Sequence, residues 1–185
     1  MRFNLSETHI RGSQDGKSKA ICPSEVYLTQ NEFYKAAQTG IARRISSILK
    51  GLSGSPNSGW DVDVEGACAE HAVANALGIK FVGTVDTFKS CGDVGPYEVR
   101  SSRHENGRLI IRPDDRSSSI FILATGIAPH FKIRGWIKAA EAKKRDDWFY
   151  SLERSRPPAW NVPQSALRPI AELKRSINLN PYIPV

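Results

Sequence analysis

The sequence predicts an α/β chain of the α+β kind, with a central mixed sheet of about five strands flanked by helices. Three observations carry this expectation. Residues 29–52 and 64–77 hold apolar side chains at helical spacing. Beyond residue 78 the pattern changes to period two and short apolar runs. Clusters of Gly, Pro, Ser and Asp mark the changes. At 185 residues the chain can bury one substantial core but is short for two. A single domain over 24–185 is therefore expected, ending in a Pro-rich wrap. Residues 1–23 are polar and lack an apolar period, as a frayed arm does.

The first helix is announced by Thr29 with Glu32 three residues on, a capping box. Phe33, Ala37, Ile41, Ile45, Ile48, Leu49 and Leu52 then make an apolar stripe ending near Gly51, while Lys35, Arg43, Arg44 and Lys50 form a solvated outer face. Residues 53–59, rich in Gly, Ser, Pro and Asn, form a loop. A second helix follows, with Asp61 or Asp63 near its cap, small residues dominating 64–77, and Gly78 as its stop. Five runs then read as strands of one sheet: 79–82, 97–101, 108–112, 120–125 and 131–137. Antiparallel neighbours are the economical arrangement. Pro113-Asp114-Asp115 and the Ser117 to Ser119 run are turn chemistry, residues 138–144 form a short basic helix, and the tail from 156 onward adds extended segments and one further helical turn.

Lys and Arg number 26 against 19 Asp and Glu, a net charge of +7 that suits a polyanion such as nucleic acid. Cys22, Cys68 and Cys91 are an odd number with no CxxC pair and no Cys/His ligand spacing, so neither a disulfide framework nor a zinc site is indicated. No apolar run approaches the roughly 20 residues a membrane span needs, and the N-terminus lacks an apolar signal core. A cytoplasmic protein without membrane association is expected. There is no Gly-Lys-Ser/Thr phosphate loop and no spaced Ser/His/Asp or Cys/His set. His71 and His104 read as surface residues, and His130 has no evident partner.

The residues with chemistry are acidic. In the run Tyr97-Glu98-Val99-Arg100-Ser101, alternation puts Glu98 and Arg100 on one face. Asp93 lies five residues before Glu98 with Gly95 and Pro96 between, so a turn brings its carboxylate towards Glu98. Two converging carboxylates are what a hard divalent ion such as Mg²⁺ requires, because the ion takes oxygen ligands and keeps waters and substrate phosphate oxygens. Glu70 falls inside the apolar stripe of Gly66, Ala67, Val73, Ala74 and Leu77, where a carboxylate is costly unless paired, hydrogen-bonded or metal-bound. Glu65 is placed to favour the helix dipole.

The run from Gly92 to Ser102, Gly-Asp-Val-Gly-Pro-Tyr-Glu-Val-Arg-Ser-Ser, preceded by a helix bearing Glu70, resembles the core motif of the PD-(D/E)XK, or restriction-endonuclease-like, nucleases. The similarity covers roughly residues 60 to 145 and is nearest in character to small resolvase-like and phage-encoded members. It implies a restriction-endonuclease-like core and a Mg²⁺- or Mn²⁺-dependent endonuclease acting on DNA. Asp93 and Glu98 would hold the metal, Glu70 would bind it directly or through water, and Arg100 would steady the scissile phosphate. One departure is explicit: the family's Lys is Arg100 here, which stays charged and binds phosphate as a fork. Lys89 is a candidate substitute ammonium.

Arg100, Arg103, Lys132, Arg134 and Lys138 are the candidate nucleic-acid contacts, with Lys143, Lys144 and Arg145 nearby and Phe131, Trp136 and Trp148 interleaved. Lys132 and Arg134 share a face opposite Phe131 and Ile133, so these apolar residues also fit a core. DNA is the expected partner. Many nucleases of the class work as dimers, so a second copy is a further expected partner, although the sequence marks no interface. The alternatives are a catalytically inactive nucleic-acid-binding module and an accessory factor in which Glu70 and Glu98 are only ion-pair members.

Overall fold

The computed structural model describes residues 25–52, 59–85, 92–151 and 157–179. The expected N-terminal arm, Cys22, Lys89 and Cys91 lie outside them. In chain order the elements are β1 (Glu25–Tyr27), α1 (Gln30–Leu49), α2 (Trp60–Leu77), β2 (Tyr97–Ser102), β3 (Leu109–Ile111), β4 (Ile120–Ile127), β5 (His130–Lys138), α3 (Ala139–Ala142), β6 (Phe149–Tyr150), β7 (Ala159–Val162) and α4 (Ile170–Leu179). The class is mixed α+β. A four-stranded mixed sheet runs β1-β5-β4-β2, and a three-stranded sheet runs β3-β7-β6. No described helix is long and apolar enough to cross a membrane.

The capping box forms as the sequence predicts. Thr29 Oγ1 accepts the Glu32 N–H at 3.3 Å, and Glu32 Oε2 accepts the Thr29 N–H at 2.7 Å. The other Glu32 oxygen accepts from Asn75 Nδ2 at 2.9 Å, tying the start of α1 to α2. At the end of α2, Gly78 takes a left-handed φ of 75°. The Ile79 N–H returns to the Ala74 carbonyl at 3.0 Å and the Gly78 N–H to Asn75, which is a Schellman stop. Beyond that stop, residues 79–82 do not form the expected strand. The segment has no ladder partner among the described residues, and it is held by Ile79 and Phe81 packing on the core and by Phe81 against the His71 ring at 4.5 Å.

α1 meets α2 through small residues. Ala36 and Gly40 are the buried positions of α1, and a Cβ on Gly40 would lie 2.6 Å from the Asp63 carbonyl and the Val64 Cα. The predicted apolar stripe is therefore not the face α1 buries: Ile41, Ile45, Ile48, Leu49 and Leu52 are exposed. Close backbone approach overrides side-chain hydrophobicity here, because the small-residue surface of α2 accepts only an equally small face. Gly40→Ala is expected to destabilise the fold by about 2 kcal/mol, through overpacking that outweighs the ~1 kcal/mol helix-propensity gain. A urea-midpoint comparison checks this, and an unchanged or raised midpoint contradicts the close crossing.

The remaining strands form near their predicted positions but are divided between two sheets. β3 leaves the main sheet to pair antiparallel with β7, so β2 and β4 become neighbours and run parallel, Glu98 beside Phe121 and Arg100 beside Leu123. β4 and β5 pair antiparallel with a register shift at Leu123/Ala124. One face of the main sheet carries Tyr97, Val99, Ile122, Ala124, Phe131 and Ile133 against α2 and α4. The other carries Phe121, Leu123 and Ile137 against Leu109, Ile111 and Val162 of the small sheet and Ala139 and Ala142 of α3. The chain beyond Arg156 forms β7 and a ten-residue α4, more structure than one helical turn.

Candidate acidic site at the edge of the sheet

β2 is an edge strand, so part of its backbone has no ladder partner. Asp93 fills one such place: its Oδ2 accepts the Val99 N–H at 2.8 Å. The turn that makes this possible is closed by the Val94 and Tyr97 backbones, which bond reciprocally at 3.1 and 3.2 Å. Asp93 is thereby fixed at the free edge, beside the strand residue that follows Glu98. Tyr97 and Val99 point to the α2 side, so Glu98 and Arg100 point to the small-sheet side. Glu98 is half-buried, and burial first, then the negative charge of Asp93, pushes its carboxyl above the ordinary value against the pull of Arg100.

Glu70, on the opposite side of the sheet, is buried as its place in the apolar stripe predicts. Its carboxylate is gripped by Arg43: Nη1 donates to Oε1 at 2.6 Å and Nη2 to Oε2 at 2.8 Å, while Arg43 Nε donates to the Thr84 carbonyl at 2.9 Å. Arg43, which the sequence places on a solvated face, is instead largely covered and paired with Glu70. It lies at helical spacing from Ala36 and Gly40, on the stripe that packs against α2. That position among small residues is the signal that could have found it. Burial pushes the Glu70 carboxyl up, to about 7, against the pull of Arg43, and Asp93 and Glu98 push in the same direction as burial. Arg43 in turn sits in the field of Asp93 as well as of Glu70. The three predicted acids thus share one electrostatic neighbourhood around the edge of β2. They do not form one ligand set: among the described residues no group of three or more His, Cys, Asp and Glu side chains is placed to hold a metal ion.

The raised carboxyl has a consequence for stability. Folding favours protonated Glu70, so its contribution is complete below the unfolded value near 4.5 and is lost as pH rises through about 7. Across pH 5 to 8 the denaturation midpoint of wild type should therefore fall relative to that of Glu70→Gln, a comparison in which the opposite contribution of His71 cancels. Identical slopes would contradict the burial of a raised carboxyl.

Arg100 is not a free fork. Its Nη2 reaches both oxygens of Asp115, at 3.0 and 3.2 Å, and its guanidinium lies 4.8 Å from the centre of the Phe121 ring. Asp115 also accepts the Arg112 N–H at 2.7 Å, so this residue does the turn work expected of it and supplies the counter-ion of Arg100 besides. Of the other predicted nucleic-acid contacts, Arg103 pairs with Asp61 at 3.0 Å, and Lys132 and Arg134 share Glu105 at 3.1 and 3.3 Å. Lys138 is exposed at the end of β5. Phe131, Ile133 and Trp136 are core residues rather than stacking platforms.

Glu65 serves the hairpin between β4 and β5, accepting the Ala128 N–H at 3.2 Å. His71, expected at the surface, is buried against Phe81, and burial holds its imidazole below the ordinary value. His130 stacks on Tyr27 with ring centres 4.2 Å apart. Cys68 is core packing, as expected, and burial pushes its thiol up to about 12. A cavity of about 170 Å³ lined by Val62, Glu65, Ser101, Ser102, Arg103, Gly126 and Phe131 lies toward the other end of β2 and is smaller than ordinary organic-ligand sites.

What the fold and site define is thus a mixed α+β protein with an Asp/Glu pair at a strand edge and a clamped Glu on the neighbouring helix. Comparisons with protein-family models, with curated protein sequences and with solved structures find no match.

Proposed function

We propose that this chain is a divalent-metal-dependent endonuclease that hydrolyses phosphodiester bonds in DNA, built on a restriction-endonuclease-like core. The observation that carries the reading is Asp93 fixed through Val99 to the open edge of β2, next to Glu98, with both carboxylates electrostatically coupled. Their donor chemistry fits Mg²⁺ or Mn²⁺: hard oxygens, and few enough of them to leave places for water and phosphate. Asp93 and Glu98 would hold the ion. When bound, it supplies Lewis acidity toward the phosphodiester oxygens and toward water. Glu70, with both oxygens committed to Arg43 on the other side of the sheet, would not ligate the ion. Arg100, steadied by Asp115 and Phe121, would place a fixed positive charge beside the scissile phosphate, a role that needs no proton exchange.

A second reading is favoured by the same two arginines. With Arg100 engaged by Asp115 and Glu70 by Arg43, and without the family's Lys, the chain would bind nucleic acid without cutting it. Incubation with linear, circular and branched DNA in Mg²⁺ or Mn²⁺, with a chelator control, separates the two. Metal-dependent cleavage supports the enzyme. Binding that weakens with salt but never cuts supports the module, and neither activity overturns both.

A further inference from the structure

We propose that the outward stripe of α1 is a self-association surface, on which a second copy of this chain seats its own α1 about a twofold axis. The stripe is more ordered than a scatter of exposed apolar residues. Tyr34, Gln38, Ile41, Ile45 and Ile48 follow one another in alternating steps of four and three residues, the 3.5-residue repeat of a helix-to-helix seam, and the exposed Leu52 stands just past the end of α1. The seam lies nearly opposite the Ala36, Gly40 and Arg43 stripe that α1 presents to α2. It is open: Tyr34 is 61% exposed, Ile41 42%, Ile45 45%, Ile48 45% and Leu52 59%, with Leu49 beside it at 82%.

The area and chemistry indicate the occupant. With Phe33 on the flank, these side chains leave roughly 700 Å² of apolar surface in water, above the largest patch of a typical monomer and close to the ~800 Å² each partner contributes to a standard interface. No charged residue interrupts the seam, and Gln38 is its one polar member. An identical seam meets these requirements: aliphatic knobs face aliphatic holes, and two Gln38 amides can set the register as a single polar seam residue does in coiled coils. A twofold pairing needs a self-complementary patch, and a repeat read from one helix onto its copy provides one. Arg44, beside the seam on a chain of net charge +7, is 3.9 Å from Asp63, which limits repulsion between the copies.

Sedimentation equilibrium or light scattering of the full chain from about 1 to 100 µM tests the proposal. Wild type is expected to approach twice the 20.5 kDa mass of one chain, whereas the Ile41→Glu/Ile48→Glu variant stays at one mass with an unchanged circular dichroism spectrum. If that variant precipitates, Ile41→Ser/Ile48→Ser should raise the dimer dissociation constant at least about tenfold while remaining folded. Three results overturn the proposal. One is a wild type of single mass at every concentration. Another is seam variants that dimerise as wild type does. The third is a monomeric wild type whose thermal midpoint drops on seam substitution, which would place the chain's own residues on the stripe.

Discussion

Arg43→Met is expected to lower stability at pH 8 by about 3 kcal/mol, because it strands an ionised Glu70 in the interior without the guanidinium that grips both its oxygens. The ion pair is 23% and 9% exposed at its two side chains, which sets the effect at the lower end of the range for buried pairs. Two further comparisons separate charge from packing. At pH 5 the loss should shrink, since Glu70 is then largely protonated given its displacement to about 7. In the double variant Arg43→Met/Glu70→Leu, most of the loss should be recovered, because both partners are replaced by apolar groups of similar size. A double variant as unstable as the single one would mean that Arg43 acts through its bond to the Thr84 carbonyl rather than through Glu70.

The second large effect concerns the acidic pair. Asp93→Asn and Glu98→Gln are each expected to reduce metal-dependent DNA cleavage by at least about 10³-fold, equivalent to ~4 kcal/mol of transition-state stabilisation. Asp93 needs the isosteric change because its carboxylate also holds the edge of β2. Asp93→Ala removes the acceptor of the Val99 N–H and should cost about 1 to 2 kcal/mol of stability besides. An Asn oxygen can keep that hydrogen bond, so a folded Asp93→Asn protein that has lost cleavage isolates the charge. If Asp93→Asn cuts as well as wild type, Asp93 is a strand-edge cap and nothing more.

The parts of the fold that the sequence disclosed are those whose signals are local. The Thr29/Glu32 capping box, the Gly78 stop and the alternation in β2, β4 and β5 each depend on residues within a few positions, and each appears where expected. What failed was partner choice. The Leu109–Ile111 alternation says that one face is buried but not against which sheet, and β3 pairs with β7 rather than in the main sheet. The helical stripe on α1 says that an apolar face exists. Only the glycine crossing at Gly40 reveals that α1 buries its other side. The acidic residues divide the same way. Glu70, Asp93 and Glu98 were visible from periodicity and spacing, whereas Arg43 and Asp115, which hold Glu70 and Arg100 in place, come from elements distant in sequence.

Titration of Mn²⁺ into the full chain by calorimetry tests the central claim, that Asp93 and Glu98 form a divalent-cation site. A single binding event is predicted for wild type, weakened at least about tenfold in both Asp93→Asn and Glu98→Gln and largely retained in Glu70→Gln. A wild-type protein that takes up no Mn²⁺, or one whose affinity is untouched by either of the first two substitutions, would contradict it.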